Sequence, residues 1–203
     1  MALCRRTYFC FYSVTRFEER KNIFAAIQAY RDAFPKNGPP FFIKTHGRVP
    51  SLLKRVPGIS FFTGRWNDDQ IAALHRVGKC YVSPHCSEGW GLCISDAMSH
   101  GNLAIGTSFS GSLEFMNKEN SLLVPFSLNA IQWPNECQRF GFAQSTPQAK
   151  WANINVKALA QTMTEAYVRW HEQGDKRQRA ARDMTKFSRG KIAKTMLKRL
   201  ASM

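Results

Sequence analysis

The hydrophobic pattern of the chain alternates between short apolar runs and segments with helical spacing. Residues 8–14 form an aromatic and apolar run that predicts a buried strand, and residues 22–34 place apolar side chains at helical spacing. The same alternation predicts further strands at 41–44, 59–63, 79–82, 102–106 and 121–124, and helices at 68–77 and, after a glycine-rich turn, up to residue 100. Repeated units of this kind predict an α/β fold with a single doubly wound, mainly parallel sheet, which binds ligands at the carboxyl ends of its strands.

The pattern also divides the chain along its length. Residues 126–150 contain prolines, glycine and many polar residues, so we predict an irregular excursion over the surface. Helices are predicted again at 156–170, and residues 188–203 have the spacing of a basic amphipathic helix. We therefore predict a ligand-binding domain over residues 1–170 and a basic C-terminal helical tail over 171–203, packed on the same domain.

The charge balance is strongly basic. The 203 residues include 29 Lys and Arg against 14 Asp and Glu, a net charge of +15, and the 44% apolar content is enough for one buried core. Such a charge implies an anionic partner, which could be a phosphate ester, nucleic acid or an acidic membrane surface. Residues 169–199 carry eight of the fifteen excess charges.

Membrane, metal and disulfide signals are weak. No apolar run approaches the roughly 18 residues that a membrane-spanning helix needs, and residues 7–14 are too short for a signal peptide, so we expect a soluble cytoplasmic protein. The six cysteines never occur as Cys-x-x-Cys, so neither a zinc site nor a disulfide framework is indicated. We expect reduced thiols, no metal and no cofactor.

The densest chemical signal is the turn Glu-Gly-Trp-Gly-Leu at 88–92, between a predicted strand and a predicted helix. Its glycines allow a tight turn, which leaves backbone amides at a helix N-terminus as a seat for a phosphate. Glu88 stands at the mouth of this turn, and the carboxylate of Asp96 could accept hydrogen bonds from a ribose diol. Equally, the glycines could serve only the turn, and Asp96 could be a solvated helix residue.

A second cluster follows the first predicted strand. Arg16 and Lys21 would face the same crevice as the Glu88 turn, where two cations would neutralise a diphosphate. The alternative is a solvated loop, because charged loops between strands and helices are common.

From about residue 12 to residue 167 the motifs occur in the order found in one known family. They are Arg-x-x-x-Arg-Lys-Asn at 16–22, Phe-x-Gly at 62–64, the turn at 88–92, Asp-Ala-Met-x-x-Gly at 96–101, Ser-Gly-Ser-Leu-Glu-Phe at 110–115 and Asn-Ser-Leu-Leu-Val at 120–124. The chain resembles the C-terminal, Rossmann-like, donor-binding domain of the nucleotide-sugar-dependent glycosyltransferases of family 4, which have the GT-B fold.

The resemblance implies a role for each matching position. Arg16 and Lys21 correspond to the residues that grip the donor diphosphate. Glu88 corresponds to the catalytic carboxylate beside the transferred sugar, and Asp96 to the carboxylate that holds the ribose. The resemblance further implies that the phosphate and sugar hydroxyls meet backbone amides of Gly89, Trp90, Gly91 and Leu92.

The nucleobase is expected at the end of another predicted strand. By the resemblance, Gly64 and Arg65 occupy the position where the backbone meets the base. Trp66 is a candidate stacking partner, although a plain packing role is at least as good an explanation for it.

The family implies retaining transfer of a hexose from a nucleoside diphosphate sugar, without a catalytic metal. This sequence departs from the family in having Asp96 where glutamate is usual and Thr15 where glycine often occurs. It also lacks a match to the N-terminal domain that holds the acceptor site. We therefore expect either a separately encoded acceptor-binding partner or a module that survives in truncated form.

Other classes of function remain open at this stage. The chain could be a non-catalytic module that binds nucleotide sugars or an anionic surface, and the basic tail could contact the inner face of a membrane. Nucleic acid binding rests on charge alone, because no motif for base readout is present.

Overall fold

The computed structural model describes residues 8–131 and 149–202. Six strands in these ranges form one parallel sheet in the order β3-β2-β1-β4-β5-β6. The strands are β1 Phe11–Arg16, β2 Phe41–His46, β3 Ile59–Phe62, β4 Cys80–Ser83, β5 Leu103–Thr107 and β6 Leu122–Val124. The predicted α/β fold with a doubly wound parallel sheet is confirmed.

Helices cover both faces of the sheet. The α-helices are α1 Ile23–Ala33, α2 Asp68–Val77, α3 Leu92–Ser99, α4 Val156–Val168, α5 Gly174–Met184 and α6 Arg189–Ala201. Short 3₁₀-helices lie at Glu19–Lys21, Ser51–Leu53, Gly111–Glu114, Trp170–Gln173 and Thr185–Phe187. No helix within the described ranges is long and apolar enough to cross a membrane.

The alternation of side chains along β1 separates two hydrophobic cores. Phe11 is fully buried on one face, in a core that includes Ile23 of α1 and Leu159 of α4. Tyr12 is fully buried on the other face, in a core that includes Met98 of α3 and residues of α5. Both faces are covered because a parallel sheet needs a helix layer on each side.

The prediction for residues 126–150 needs a correction. Residues Phe126–Ala130 form strand β7, which pairs antiparallel with β8, Lys150–Ile154. The strand was overlooked because β7 is short and largely exposed, so its apolar positions form no buried run. Residues 132–148 of the predicted excursion lie outside the described residues, as do Cys4 and Cys137.

The basic tail contains two helices in different environments. α5 contacts α3 and buries Ala180 and Met184. Every described side chain from Arg189 to the end of α6 is exposed, including Ile192 and Leu197.

A buried polar network lies under α2. Asn102 donates to the Tyr12 hydroxyl at 2.8 Å and to the His75 carbonyl at 2.7 Å, and the Tyr12 hydroxyl lies 2.8 Å from His75 Nδ1. His75 Nε2 is buried without a hydrogen-bond partner in the described structure. Burial, with a smaller contribution from the charge of His100, lowers the pKa of His75 from 6.5 to about 4.

This network predicts a loss of stability on acidification. The unfolded chain takes up a proton on this histidine near pH 6.5, whereas the folded chain does so only near pH 4, so protonation favours unfolding between these values. We expect His75 alone to lower the free energy of unfolding by about 2 kcal/mol between pH 7 and pH 5. Urea unfolding at pH 7 and at pH 5 measures this change in the free energy of unfolding. His75→Gln should show a smaller decrease than the exposed control His46→Gln, and equal decreases would contradict the assignment.

Candidate functional site

The candidate site is a cleft at the carboxyl ends of the central strands. Two adjoining cavities of about 670 and 360 Å³ share Lys21 and Cys93 in their walls. The larger cavity is lined by residues from the ends of β1, β2 and β3, and the smaller one by the 88–92 turn after β4. This edge of the sheet is where doubly wound folds bind their ligands.

Glu88 is held by two cations from the first loop. Its carboxylate accepts a hydrogen bond from Lys21 Nζ, and its other oxygen lies 3.3 Å from Arg20 Nη1. The side chain of Glu88 is 9% exposed, so its charge is compensated inside the protein rather than by water. Arg20 also donates to the Ser87 carbonyl at 2.9 Å. Arg20 has no role in the sequence-based predictions, although it is the second arginine of the Arg-x-x-x-Arg-Lys motif.

Arg16 lies at the mouth of the cleft. It ends β1 opposite His46 of β2, lines the larger cavity, and has a side chain that is 61% exposed. Its guanidinium pairs with Glu18 at 3.4 Å rather than with Glu88. The structure thus brings Arg16 and Lys21 to one cavity, with Lys21 deeper and Arg16 toward solvent.

The glycine turn positions the start of α3. Gly91 has φ +91°, a left-handed conformation that favours glycine, and its carbonyl accepts the amides of Ile94 and Ser95. Trp90 packs on Phe115 at a ring distance of 4.9 Å, while Leu92 is 70% exposed. The positive end of the α3 dipole therefore opens onto the smaller cavity.

The loop at residues 110–111 supports this turn through two hydrogen bonds. The Glu88 amide donates to Ser110 Oγ at 2.8 Å, and the Gly111 amide donates to the Glu88 carbonyl at 2.9 Å. Ser110 has φ +70°, which is rare for a residue with a side chain. This loop is part of the family motif at 110–115, but its supporting role could not be predicted from sequence, because the contact joins residues 22 positions apart.

His85 fastens the same two loops together. It is fully buried, with Nδ1 at 3.1 Å from the Ser83 hydroxyl and Nε2 at 3.3 Å from both the Phe109 carbonyl and Ser112 Oγ. Burial lowers the pKa of His85. A buried imidazole with these partners holds the two loops in place.

The far side of the larger cavity is lined by Gly64, Arg65 and Trp66. Gly64 has φ +86°, and its carbonyl accepts a hydrogen bond from Lys44 Nζ at 2.7 Å. The Lys44 ammonium also lies 5.2 Å from the centroid of the Trp66 ring. Lys44 was not predicted to be a site residue, because a lysine at the end of a predicted strand is normally exposed.

Asp96 is not part of either cavity wall. It lies on the exposed side of α3 and borders a separate groove of about 770 Å³, whose walls include Trp90, Leu92 and Phe187. Burial raises the pKa of Asp96. Asp96 is therefore separated from the cavities that contain Lys21 and Glu88, although Trp90 and Leu92 border both spaces.

The described residues contain no group of three or more His, Cys, Asp and Glu side chains that could hold a metal ion. Among the described cysteines, those at 10, 80 and 93 are free thiols. The charged groups that line the cleft include the cations Arg16, Arg20, Lys21 and Lys44 and the paired carboxylates of Glu18 and Glu88.

Comparison with known proteins identifies the family. The model of the family described as glycosyl transferases group 1 matches residues 9–133, which is more than half of the chain. The chain belongs to this family. A curated relative, the serotype-specific mannosyltransferase WbdA of Escherichia coli, is 27% identical over 167 residues, covering 74% of this chain and 19% of the relative. The chain thus spans about a fifth of the length of the curated relatives it matches.

Solved structures share the fold of this glycosyltransferase domain. The catalytic domain of cholesterol-α-glucosyltransferase from Helicobacter pylori superposes with a TM-score of 0.63 at 18% identity, covering 89% of this chain and 99% of that chain. HepE from Anabaena, in complex with UDP and glucose, gives a TM-score of 0.67 at 15% identity, covering 97% of this chain and 49% of that chain. Together with the family match, these structures confirm the resemblance to a GT-B glycosyltransferase domain.

Proposed function

We propose that the chain is the donor-binding domain of a retaining, family 4 glycosyltransferase that transfers a hexose from a nucleoside diphosphate sugar. The observation that carries the proposal is Glu88, a carboxylate held between Arg20 and Lys21 beside a cavity at the carboxyl ends of β1 and β4. The HepE structure contains UDP and glucose, which supports a nucleotide sugar as the ligand class.

The two cations around Glu88 suggest how a donor would be received. Arg20 is anchored by the Ser87 carbonyl, so it can retain Glu88 when Lys21 turns toward an entering diphosphate. Arg16 at the mouth would neutralise the outer phosphate, and the amides of residues 89–92 would meet the inner phosphate and the sugar. Glu88 would then lie beside the transferred sugar, where its negative charge stabilises positive charge that develops on the anomeric carbon.

The remaining assignments complete the proposed donor site. The base would lie against Gly64, Arg65 and Trp66. By the family resemblance Asp96 would accept the ribose hydroxyls, which requires α3 to turn from its present orientation, in which Asp96 borders the outer groove. Lys21, Arg16 and the helix terminus would supply the positive field, so we propose that no catalytic metal or cofactor is required. A second domain would carry the acceptor, because transfer needs both reactants held in one geometry.

Donor binding without metal tests this function directly. We expect UDP- or GDP-sugars at millimolar concentration to raise the melting temperature of the chain, and EDTA to leave the increase unchanged. Inorganic phosphate at the same concentration is the control for non-specific ionic strength effects. No increase with any nucleotide sugar would contradict the donor-binding role, and an increase that EDTA abolishes would contradict metal independence.

A second proposal concerns α6, whose charge pattern favours peripheral contact with an anionic membrane. Ile192, Met196, Leu197 and Leu200 are between 41% and 66% exposed, and no acidic residue follows Asp183 in the sequence. An exposed helix with an apolar stripe and basic flanks matches the chemistry of an anionic lipid surface.

Vesicle sedimentation tests the membrane contact. We expect the chain to sediment with vesicles that contain anionic phosphatidylglycerol and to stay in solution with purely zwitterionic vesicles. Leu197→Asn should reduce sedimentation several-fold, whereas the control Thr195→Asn should not. Sedimentation that is unchanged by Leu197→Asn would leave only non-specific charge attraction and contradict the proposal.

A further inference from the structure

Lys44 is a buried cation in the wall of the larger cavity. It lies in β2, opposite Val14 of β1 and Phe62 of β3, and is only 5% exposed. Its ammonium donates to the Thr45 carbonyl at 2.9 Å and to the Gly64 carbonyl at 2.7 Å. None of the ion pairs found in the described residues involves Lys44, so its charge is balanced by carbonyl dipoles and the Trp66 ring.

A buried ammonium without a carboxylate partner is costly and needs a reason. Burial lowers the pKa of Lys44, as expected for a cation removed from water. A neutral side chain would fill the same space without that cost. An ammonium has three N–H donors, of which the two carbonyls use two, so one remains for a group in the cavity that Lys44 lines.

The sheet order places Lys44 at a definite part of the cleft. Lys21 and Glu88 follow β1 and β4, whereas Lys44 and Gly64 belong to the β2 and β3 side. Neighbouring strands are about 5 Å apart, so the two groups lie roughly one to two strand spacings from each other along the cavity. A nucleotide with its phosphates at Lys21 would extend its base toward Lys44.

We propose that Lys44 selects the nucleobase by donating a hydrogen bond to a carbonyl oxygen on the base edge. Guanine offers O6 and uracil offers O4, whereas adenine presents an amino donor at the corresponding position, which a lysine cannot accept. The site therefore favours an oxo base, guanine or uracil, over adenine. This inference rests on the proposed donor-binding function and adds a specificity residue to it.

Calorimetric titration of the wild-type chain with UDP, GDP, ADP and inorganic pyrophosphate is the first test. We expect UDP or GDP to bind at least tenfold more tightly than ADP. Binding of pyrophosphate and of all three nucleotides with equal affinity would overturn the role of Lys44 and leave the diphosphate site intact. No binding of any of the four compounds would overturn the proposed function, and this inference with it.

The variant Lys44→Met is the second test, because methionine keeps the length of the side chain and removes the donor. We expect the preferred nucleotide to lose about tenfold in affinity, while ADP and pyrophosphate change less than twofold. The exposed Lys54→Met is the matched control and should change nothing. An equal loss for all ligands would assign Lys44 to general charge or folding and overturn the proposal. If Lys44→Met does not fold, the wild-type chain is titrated with the thio-substituted analogues 4-thio-UDP and 6-thio-GDP. We expect each analogue to bind several-fold more weakly than the parent nucleotide, because sulfur is a poorer hydrogen-bond acceptor than oxygen. Equal binding of analogue and parent nucleotide would overturn the proposal.

Discussion

Lys21→Met is expected to weaken the binding of a nucleoside diphosphate about ten- to a hundredfold, while the bare nucleoside binds almost unchanged. Lys21 lines both cavities and is the cation nearest to the Glu88 carboxylate. A charge-assisted hydrogen bond in such a partly enclosed site contributes about 1.5–3 kcal/mol, which corresponds to this range of affinities. Isothermal titration of GDP and guanosine, or UDP and uridine, measures the two losses separately.

The comparison between ligands separates a phosphate contact from a general effect. Arg20 remains beside Glu88 in this variant, so we expect the melting temperature to change little. Lys36→Met, an exposed lysine after α1, is the control for lost net charge. If Lys21→Met weakens the binding of the nucleoside and of the nucleoside diphosphate equally, Lys21 does not contact the phosphates. If Lys36→Met weakens the binding of the diphosphate as much as Lys21→Met does, the effect of Lys21 is only that of its long-range charge.

The central strands of the sheet could be predicted from sequence because they are largely buried. All five residues of β5 and the first three of β1 are buried, so these strands appear as apolar runs between helical segments. β7 has one partly buried residue and four exposed ones, so the same rule could not detect it. Burial alone does not decide the prediction, because β3 was predicted although two of its four residues are exposed.

The composition of the site was predictable, but its contacts were not. Motif spacing brought Lys21 and Glu88 together because parallel strands end at one edge of the sheet. The rotation of α3 could not be derived from spacing, and it is this rotation that turns Cys93 toward the cavities and Asp96 toward the outer groove. Burial of Lys44 was equally hidden, since it depends on the segment after β3 folding back over β2.

The close approach of two loops under Glu88 depends on the absence of a side chain at Gly111. A Cβ atom built there would lie 1.9 Å from the Gly89 carbonyl oxygen, 2.6 Å from the Gly89 carbonyl carbon and 2.9 Å from the Glu88 carbonyl oxygen. All three are backbone atoms, so no rotamer change can relieve the overlap. One of the two loops must move, which also stretches the 2.9 Å hydrogen bond from the Gly111 amide to Glu88.

Gly111→Ala should therefore lower the free energy of unfolding by about 3 kcal/mol, the upper part of the usual range for overpacking a rigid site. It should also weaken nucleotide binding, because Glu88 and the amides after it lie on the displaced loop. Urea unfolding and titration with the preferred nucleoside diphosphate measure the two effects. Gly174→Ala is the matched control: a Cβ there meets nothing within 4 Å and the position is helical, so we expect unchanged or slightly higher stability. If Gly111→Ala unfolds at the same urea concentration as Gly174→Ala, the two loops can separate at no cost and their contact does not position Glu88.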